Sequence, residues 1–482
     1  MIINEVMTKL REFRAAIYES LEYRADAIMD LLDALSSNSS AKSVIELSLN
    51  PLFRRNYSSV EKAISEFSAN RITNDEKEQR RKLEQEHVTI IAQQLAALKE
   101  RKFHLLAIDV TPQPRPFAQT LSDRKVVHAP NPALSNKPIA IGHEYSHLVY
   151  LPEKASRQTP PWVVPLSVRR VSSDETGTAV AASQLAAIMT QLPFANKLCL
   201  QVGDGTYAAV QYQHDNKQHE NLVSVARLRS NRVLYFPPPA APANAKGHPT
   251  WYGEAFKLKN ANHPPASQEI ATTYTSRTGR TFNVHLKAWD NLLMRGKKDC
   301  PMQDCPFTLI RIDAFMPNGK PLYRRPLWLI VAGDRRHEIS IVDCWLSYAQ
   351  RYDIEHFFRF GKQRLLMSSF QTPDSDHEEN WWHLTLLAYC QLFFAAPLAC
   401  LLPRPWEAKI SPDAASSAAL LSPSAVQRDF PRIIAQIGTP ALAPKPRGLS
   451  PGRLLGLALP PRKASPIIFK SKKEVIIHAS PH

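Results

Sequence analysis

The feature that most constrains the fold is a series of short apolar segments, separated by polar turns, that begins near residue 103. HLLAID, KPIAIG, HLVYLP and WVVPLSV follow one another, and LCLQVGD comes after the Ala-rich segment TAVAASQLAAIMTQL. Such short runs are typical of strands, and the Ala-rich segment is typical of a helix that packs across a sheet. This order predicts an α/β core with a mixed sheet, whose first part covers residues 101–225.

Four further segments surround this part. Residues 1–100 carry apolar side chains at helical spacing, for example at Leu10, Phe13, Ile17 and Leu21, and predict a helical N-terminal domain. Residues 226–335 combine turn residues with β-type runs such as FTLIRIDAF and predict a β-rich insertion. Helical spacing returns in residues 336–402, the second part of the core. Residues 403–482 hold 13 of the 39 prolines and predict a basic, poorly ordered tail.

The charge distribution favours a polyanionic partner. The net charge is +16, yet residues 1–100 carry 14 basic and 16 acidic side chains. Between residues 225 and 333 there are 16 Lys or Arg and 6 acidic residues, a net charge of +10. We therefore expect a polyanion-binding surface, suited to double-stranded DNA, to be centred on the insertion. The alternative is a basic surface that serves only solubility.

Three acidic residues are candidates for metal ligation. Asp109 and Asp204 each close an apolar run, which places a carboxylate at the end of a rigid strand, although an Asp at such a position is commonly a turn residue. Glu355 belongs to a predicted single amphipathic helix. On that helix, one arc of roughly 80° holds Tyr348, Arg351, Glu355, Arg359 and Lys362. Surface ion pairs between residues four apart would produce the same stripe.

The segment YAQRYDIEHFFRFGK resembles the Y-(2)-R-(3)-E-(6)-K signature of insertion-sequence DDE transposases, with Tyr348, Arg351, Glu355 and Lys362 at the signature positions. The resemblance implies an RNase H-like fold. It also implies a catalytic, metal-binding triad formed by Asp109 in AIDVTP, Asp204 in QVGDGTY, and Glu355. The family places a β-rich insertion between the second Asp and the Glu, and 150 residues separate them here.

The same resemblance implies a mechanism and its partners. Two Mg²⁺ ions, or Mn²⁺ in their place, would neutralise the triad and support cleavage and strand transfer of DNA. Double-stranded element ends and target DNA would be the substrates, and a homodimer would join two ends. Trp328, in PLWLIVAG, would stack on a displaced base. The expected DNA contacts are Tyr348, Arg351, Arg359, Lys362 and Trp328.

Two alternatives remain open from the sequence. A catalytically inactive relative would bind DNA without cutting it. A zinc metalloprotease would use His143, Glu144 and His147, which spell H-E-x-x-H. Gly142 and the prolines at 138 and 152 disfavour the helix that this motif requires. Cys300 and Cys305 are spaced C-x4-C but have no second pair to complete a zinc site.

The sequence also indicates where the protein works. Six scattered cysteines do not form a disulfide scaffold and fit a reducing cytoplasm. The apolar stretch from Trp381 to Leu402 contains His383, Gln391 and Pro397, and we expect a buried core helix there rather than a membrane span.

Overall fold

A computed structural model describes residues 2–73, 75–128, 138–156, 158–239, 250–260, 262–402, 420–446, 456, 461–470 and 475–478. Within these residues, one continuous hydrophobic core extends from the N-terminal helices through the sheet to the helices near the C-terminus. The expected mixed α/β architecture is confirmed.

The N-terminal segment folds as a helical layer around a long helix from the other end of the chain. Its helices are α1 (Ile2–Glu19), α2 (Ala25–Ser36), α3 (Ser58–Ser65) and α4 (Glu76–Gln93). The first three pack against α9 (Ser375–Leu401). Arg14 on α1 donates to Asp33 on α2 at 2.9 Å and to Gln391 on α9 at 2.6 Å, entirely within the core. The helical layer therefore shares its core with the rest of the protein.

The central sheet contains the strands that position the acidic residues. Its first elements are β1 (His104–Pro114), β2 (Lys125–His128), β3 (Ile139–Tyr150), β4 (Val164–Arg170), α5 (Gly177–Met189), β5 (Cys199–Gly203), α6 (Val210–Asn216) and β6 (Leu222–Leu228). β1 pairs antiparallel with β3 and parallel with β5, and β5 pairs parallel with β6. The runs KPIAIG and HLVYLP, predicted as two strands, belong to the single strand β3. The polar residues between them gave a false turn signal.

The β-rich insertion extends this sheet. Its strands are β7 (Val233–Tyr235), β8 (Ala255–Lys257), β9 (Gln268–Thr275), β10 (Thr281–Leu292), β11 (Phe307–Phe315) and β12 (Leu327–Ala332). β12 pairs antiparallel with β6. With the two C-terminal strands β13 (Ile467–Lys470) and β14 (Val475–His478), the described residues form one 12-stranded sheet in the order β14-β13-β2-β3-β1-β5-β6-β12-β11-β10-β9, with β4 beside β3. β7 and β8 form a separate pair. The outermost strand on this side is β9.

Two helices, rather than the single helix predicted, follow the insertion. They are α7 (Ile341–Gln350) and α8 (Asp353–Arg364). At their junction the backbone forms hydrogen bonds of the 3-10 type, between residues three apart, from Arg351 N to Tyr348 O at 3.2 Å and from Ile354 N to Arg351 O at 3.0 Å. The prediction of one continuous helix was therefore wrong, and the angular positions assigned on it do not apply across the junction.

The C-terminal segment is more structured than its composition suggests. α10 (Pro423–Ile437) packs on α9, with Val426, Phe430 and Ile433 buried at helical spacing. β13 (Ile467–Lys470) pairs with β2, and β14 (Val475–His478) pairs with β13. The prediction of a poorly ordered tail was wrong for these elements, because proline content outweighed the helical spacing. Residues 403–419 lie outside the described residues.

α9 has the length and apolar composition of a membrane-spanning helix. However, 72% of its most apolar window is buried inside the protein. Trp381, Trp382 and Tyr389 all lie in its buried surface. α9 is therefore the central core helix, as expected from its polar residues.

Candidate active site

Asp109 lies within β1, five residues before that strand ends at Pro114, so the prediction that it stands at a strand end was wrong. Asp204 directly follows β5, the parallel neighbour of β1. Ala107 on β1 is aligned with Val202 on β5, and each Asp lies two residues beyond its aligned residue. Side chains two residues apart on a strand share a face, so both carboxylates leave the sheet at equivalent positions. Their local geometry is held by the backbone, since the Val110 N–H donates to Asp109 Oδ1 at 2.9 Å.

Glu355 reaches the same region from the first turn of α8. Arg351 joins it to the strand residues: Nη1 donates to Asp109 Oδ2 at 3.4 Å, and Nη2 donates to Glu355 Oε1 at 3.3 Å. The Arg351 side chain is only 10% exposed, whereas that of Glu355 is 45% exposed. Residues more than 240 positions apart in the chain thus meet around one guanidinium group.

The pKa of Asp109 reflects its burial and its charged neighbours. It is raised from 3.8 to about 6, mainly by burial. The negative charges of Asp204 and Glu355 contribute to this rise, while Arg351 and the Val110 N–H oppose it. Like charges that act on one another in this way favour the binding of a cation. Arg351 supplies that positive charge in this structure.

The carboxylates of Asp109, Asp204 and Glu355 are chemically suited to bind a divalent ion, but they are not arranged around one ion position. Carboxylate oxygens are the hard ligands that Mg²⁺ prefers. Among the described residues, however, no three His, Cys, Asp or Glu side chains are placed to hold one ion together. Arg351 lies between Asp109 and Glu355. A metal ion bound by Asp109, Asp204 and Glu355 therefore requires the guanidinium to move away from Asp109.

The other residues of the predicted polar stripe occupy different environments. Lys362 donates from Nζ to Thr111 Oγ1 at 2.7 Å and to the Pro112 carbonyl at 3.2 Å, and burial lowers its pKa. Tyr348 is partly buried, with the Arg351 guanidinium 5.7 Å from its ring centre. Arg359 is exposed. Lys362 therefore ties α8 to β1, and Arg359 is a cation of this helix that faces solvent.

Trp328 is a core residue. Its side chain is 2% exposed and lies among Phe256, His263 and Trp289, with ring centres 5.3 to 6.3 Å away. The Arg311 guanidinium lies 5.7 Å from its ring centre. The predicted stacking of Trp328 on a DNA base is contradicted in this conformation, because no ring face is available.

The H-E-x-x-H residues do not form a zinc site. They lie on β3, where a rise of about 3.3 Å per residue separates His143 from His147 by roughly 13 Å. His143 Nδ1 is 2.6 Å from Glu378 Oε2, and Glu144 pairs with Lys125 at 3.0 Å. His147 is fully buried, and burial lowers its pKa well below the usual value. The metalloprotease alternative is therefore wrong: these are structural residues of a strand.

Thr206 is a site residue that the sequence analysis missed. Its N–H donates to Asp204 Oδ1 at 2.8 Å, and its hydroxyl group lies 3.4 Å from Asp204 Oδ2. This is the side-chain turn that Asp makes with the backbone two residues later. The DGT sequence carried that signal, which would have identified Thr206 as the residue that orients the Asp204 carboxylate.

Comparison with known families places the site in a wider context. A family model described as DDE superfamily endonuclease matches residues 16–295. The match includes Asp109 and Asp204 and ends before Glu355. No curated protein is significantly similar to this sequence.

Proposed function

The chain belongs to the DDE superfamily of endonucleases, and on that basis we propose that it is a DNA transposase that cleaves element-end DNA and transfers the cut strand. One observation carries the proposal. Arg351 bridges Asp109 and Glu355, the charge of Asp204 acts on Asp109, and the residues around Glu355 keep the Y-(2)-R-(3)-E-(6)-K spacing. Two element ends must be joined in one complex, so the active form in this proposal is a homodimer.

Asp109, Asp204 and Glu355 would hold two Mg²⁺ ions, or Mn²⁺. Such ions activate a water molecule or a DNA 3′-hydroxyl group and stabilise the leaving oxygen. The protein contributes the orientation of the ligands. The Val110 N–H fixes the Asp109 carboxylate, and Thr206 fixes the Asp204 carboxylate. Because Asp109 lies within β1 and Asp204 directly follows β5, Glu355, whose side chain is 45% exposed, is the ligand with the most freedom to adjust.

Arg351 would exchange partners during the reaction. Before metal binding, its guanidinium balances the charges of Asp109 and Glu355. With the charge of these carboxylates balanced by bound cations, the Arg351 guanidinium would be available to bind the DNA phosphate next to the scissile bond, for which its planar fork is suited. Tyr348 supports this side chain from beneath its guanidinium.

Lys362 and Arg359, both on α8, would have different roles. Lys362 holds the helix against Thr111 on β1, which sets the distance between Glu355 and the strand carboxylates. Arg359 is exposed one turn after Glu355 and is the phosphate contact of this helix in the proposal.

A catalytically inactive DNA-binding relative is the second candidate. The position of Arg351 favours it, because a guanidinium that never left Asp109 would keep metal ions out. The two candidates predict the same DNA affinity and differ in whether strands are cut.

The test is metal-dependent cleavage of a supercoiled plasmid that carries the gene with its flanking DNA. We expect Mg²⁺ or Mn²⁺ to support nicking and the joining of a labelled 3′-hydroxyl oligonucleotide, and Glu355→Gln to abolish both while DNA binding remains. The matched control is Glu338→Gln, which changes an exposed Glu that pairs with Arg335 outside the site. Binding without nicking in the unchanged protein would establish the inactive relative instead.

A further inference from the structure

A cleft with a volume of about 460 Å³ lies next to the carboxylate site but does not include it. Its walls come from the loop at residues 152–156, from the edge strand β9, and from α7. Gln350, the last residue of α7, lines the cleft, and Arg351 follows it directly in the chain. A ligand in the cleft would therefore lie against the end of α7, the helix that leads into Arg351.

The cleft has the charge of an anion-binding surface. Lys154 and Arg277 line it, and no acidic residue does among the described residues. Lys154 is already paired with Asp353 at 2.7 Å. Arg277 is exposed and has no hydrogen bond or ion pair with the described part of the chain. A free guanidinium at the rim is available to a phosphate group, and hydroxyl groups of β9 residues provide further polar contacts.

Aromatic side chains form the second part of this surface. Tyr274 on β9 contacts Trp345 on α7 edge to face, with ring centres 5.4 Å apart. Near them, Tyr323 and Tyr352 are 58% and 61% exposed. Burial raises the pKa of Tyr323, and the charges of Tyr352 and Tyr274 contribute to the rise. The Arg351 guanidinium lies 5.7 Å from the ring centre of Tyr352.

We infer that this cleft, together with the exposed rings of Tyr323 and Tyr352, binds unpaired nucleotides of a DNA strand next to the site of cleavage. Cations that follow the backbone, combined with aromatic rings on which bases stack, are the two elements by which proteins bind single strands without regard to sequence. The volume is sufficient for a ligand of nucleotide size. The inference rests on the proposed function for the chemistry that occurs beside the cleft.

The edge strand β9 could also receive a strand from another protein chain, since its outer side has no neighbour in the described sheet. The chemistry of the cleft favours DNA. The unpaired guanidinium of Arg277 suits a phosphate backbone, whereas a peptide strand would not need a cation. A second copy of the chain paired along Gln268–Thr275 is therefore an alternative outcome of the test.

The experiment measures binding in EDTA, so that it does not depend on cleavage. A fluorescent oligonucleotide with an unpaired overhang is titrated with the full chain at several salt concentrations. For Arg277→Gln we expect weaker binding. The slope of the logarithm of the binding constant against the logarithm of the salt concentration should become less negative by about 0.7, the effect of one lost phosphate contact on a single strand. Arg280→Gln is the matched control, since it removes the same charge from the same hairpin outside the cleft lining.

A second measurement locates the bases. An overhang that contains 5-iododeoxyuridine should crosslink on irradiation to Tyr274, Tyr323, Trp345 or Tyr352. Equal losses of affinity in Arg277→Gln and Arg280→Gln, or crosslinks confined to other peptides, would overturn the inference. Protein–protein crosslinks through residues 268–275 of two copies, with DNA binding unchanged in Arg277→Gln, would assign the edge to a dimer. Failure of plasmid nicking alone would refute only the proposed function.

Discussion

The charge on Asp109 should destabilise the metal-free protein. Burial raises its pKa from 3.8 to about 6, so the folded state holds the proton more tightly than the unfolded state does. The free energy of unfolding therefore falls as the pH rises from about 4 to 6 and stays lower above that range. A pKa rise of this size corresponds to about 3 kcal/mol. Asp109→Asn removes the charge and keeps the shape, and should stabilise the protein by up to that amount at pH 7.5.

Urea unfolding followed by tryptophan fluorescence in EDTA measures this effect. The stabilisation by Asp109→Asn should be about half as large at pH 5 as at pH 7.5, because most folded wild-type molecules then carry the proton on Asp109. Asp304→Asn is the control. Asp304 is exposed, and its replacement should change the free energy of unfolding by less than about 0.5 kcal/mol at either pH.

Two results would refute this reasoning. If Asp109→Asn were less stable than the wild type at pH 7.5, the ion pair with Arg351 would outweigh the cost of burial. If its advantage were the same at both pH values, the titration of Asp109 would not be the cause. Saturating Mg²⁺ should stabilise the wild type more than Asp109→Asn, since a bound cation relieves the same penalty.

Three further substitutions test the structural reading of the core by urea unfolding. Glu378→Ala should cost about 3 to 5 kcal/mol, because it leaves the buried Arg115 guanidinium without its carboxylate; a cost below 1 kcal/mol would show that the pair is not buried. Trp328→Ala should lower the free energy of unfolding by about 3 to 5 kcal/mol and leave DNA cleavage by the folded protein intact. Loss of cleavage without loss of stability would instead support a role for Trp328 in stacking on DNA. Gly142→Ala should be strongly destabilising, since a Cβ would lie 2.1 Å from the Gln113 carbonyl oxygen; a circular dichroism melting curve like that of the wild type would contradict this contact.

Local patterns indicated the candidate acidic residues and the type of element that carries each. Asp109 and Asp204 each end an apolar run, and both runs form strands that are parallel neighbours, although β1 continues past Asp109 to Pro114. The helical spacing of the residues around Glu355 predicted its position on a helix. These signals depend on residues close together in the chain, so they can be read without knowledge of the fold.

Other features depended on contacts between distant segments. The burial of Trp328 comes from Phe256, Trp289 and the sheet around them, and its own strand would look the same if the ring were exposed. α10 was missed because prolines at the start and middle of a helix are read as breaks, although packing on α9 stabilises it. The H-E-x-x-H spacing makes His143 resemble a zinc ligand, but its ring contacts Glu378, which lies 235 residues away in the chain.

The amino-acid sequence by itself determined which groups are present: three carboxylates, the cations spaced around Glu355, and the alternation of apolar runs that makes a mixed sheet. Only the tertiary structure decided how those groups meet. The bridge from Asp109 through Arg351 to Glu355, and the separation of α7 from α8, arise because the sheet and α9 bring remote segments together. Interactions of this kind depend on distances in space and burial, neither of which is encoded in the spacing of residues along a chain.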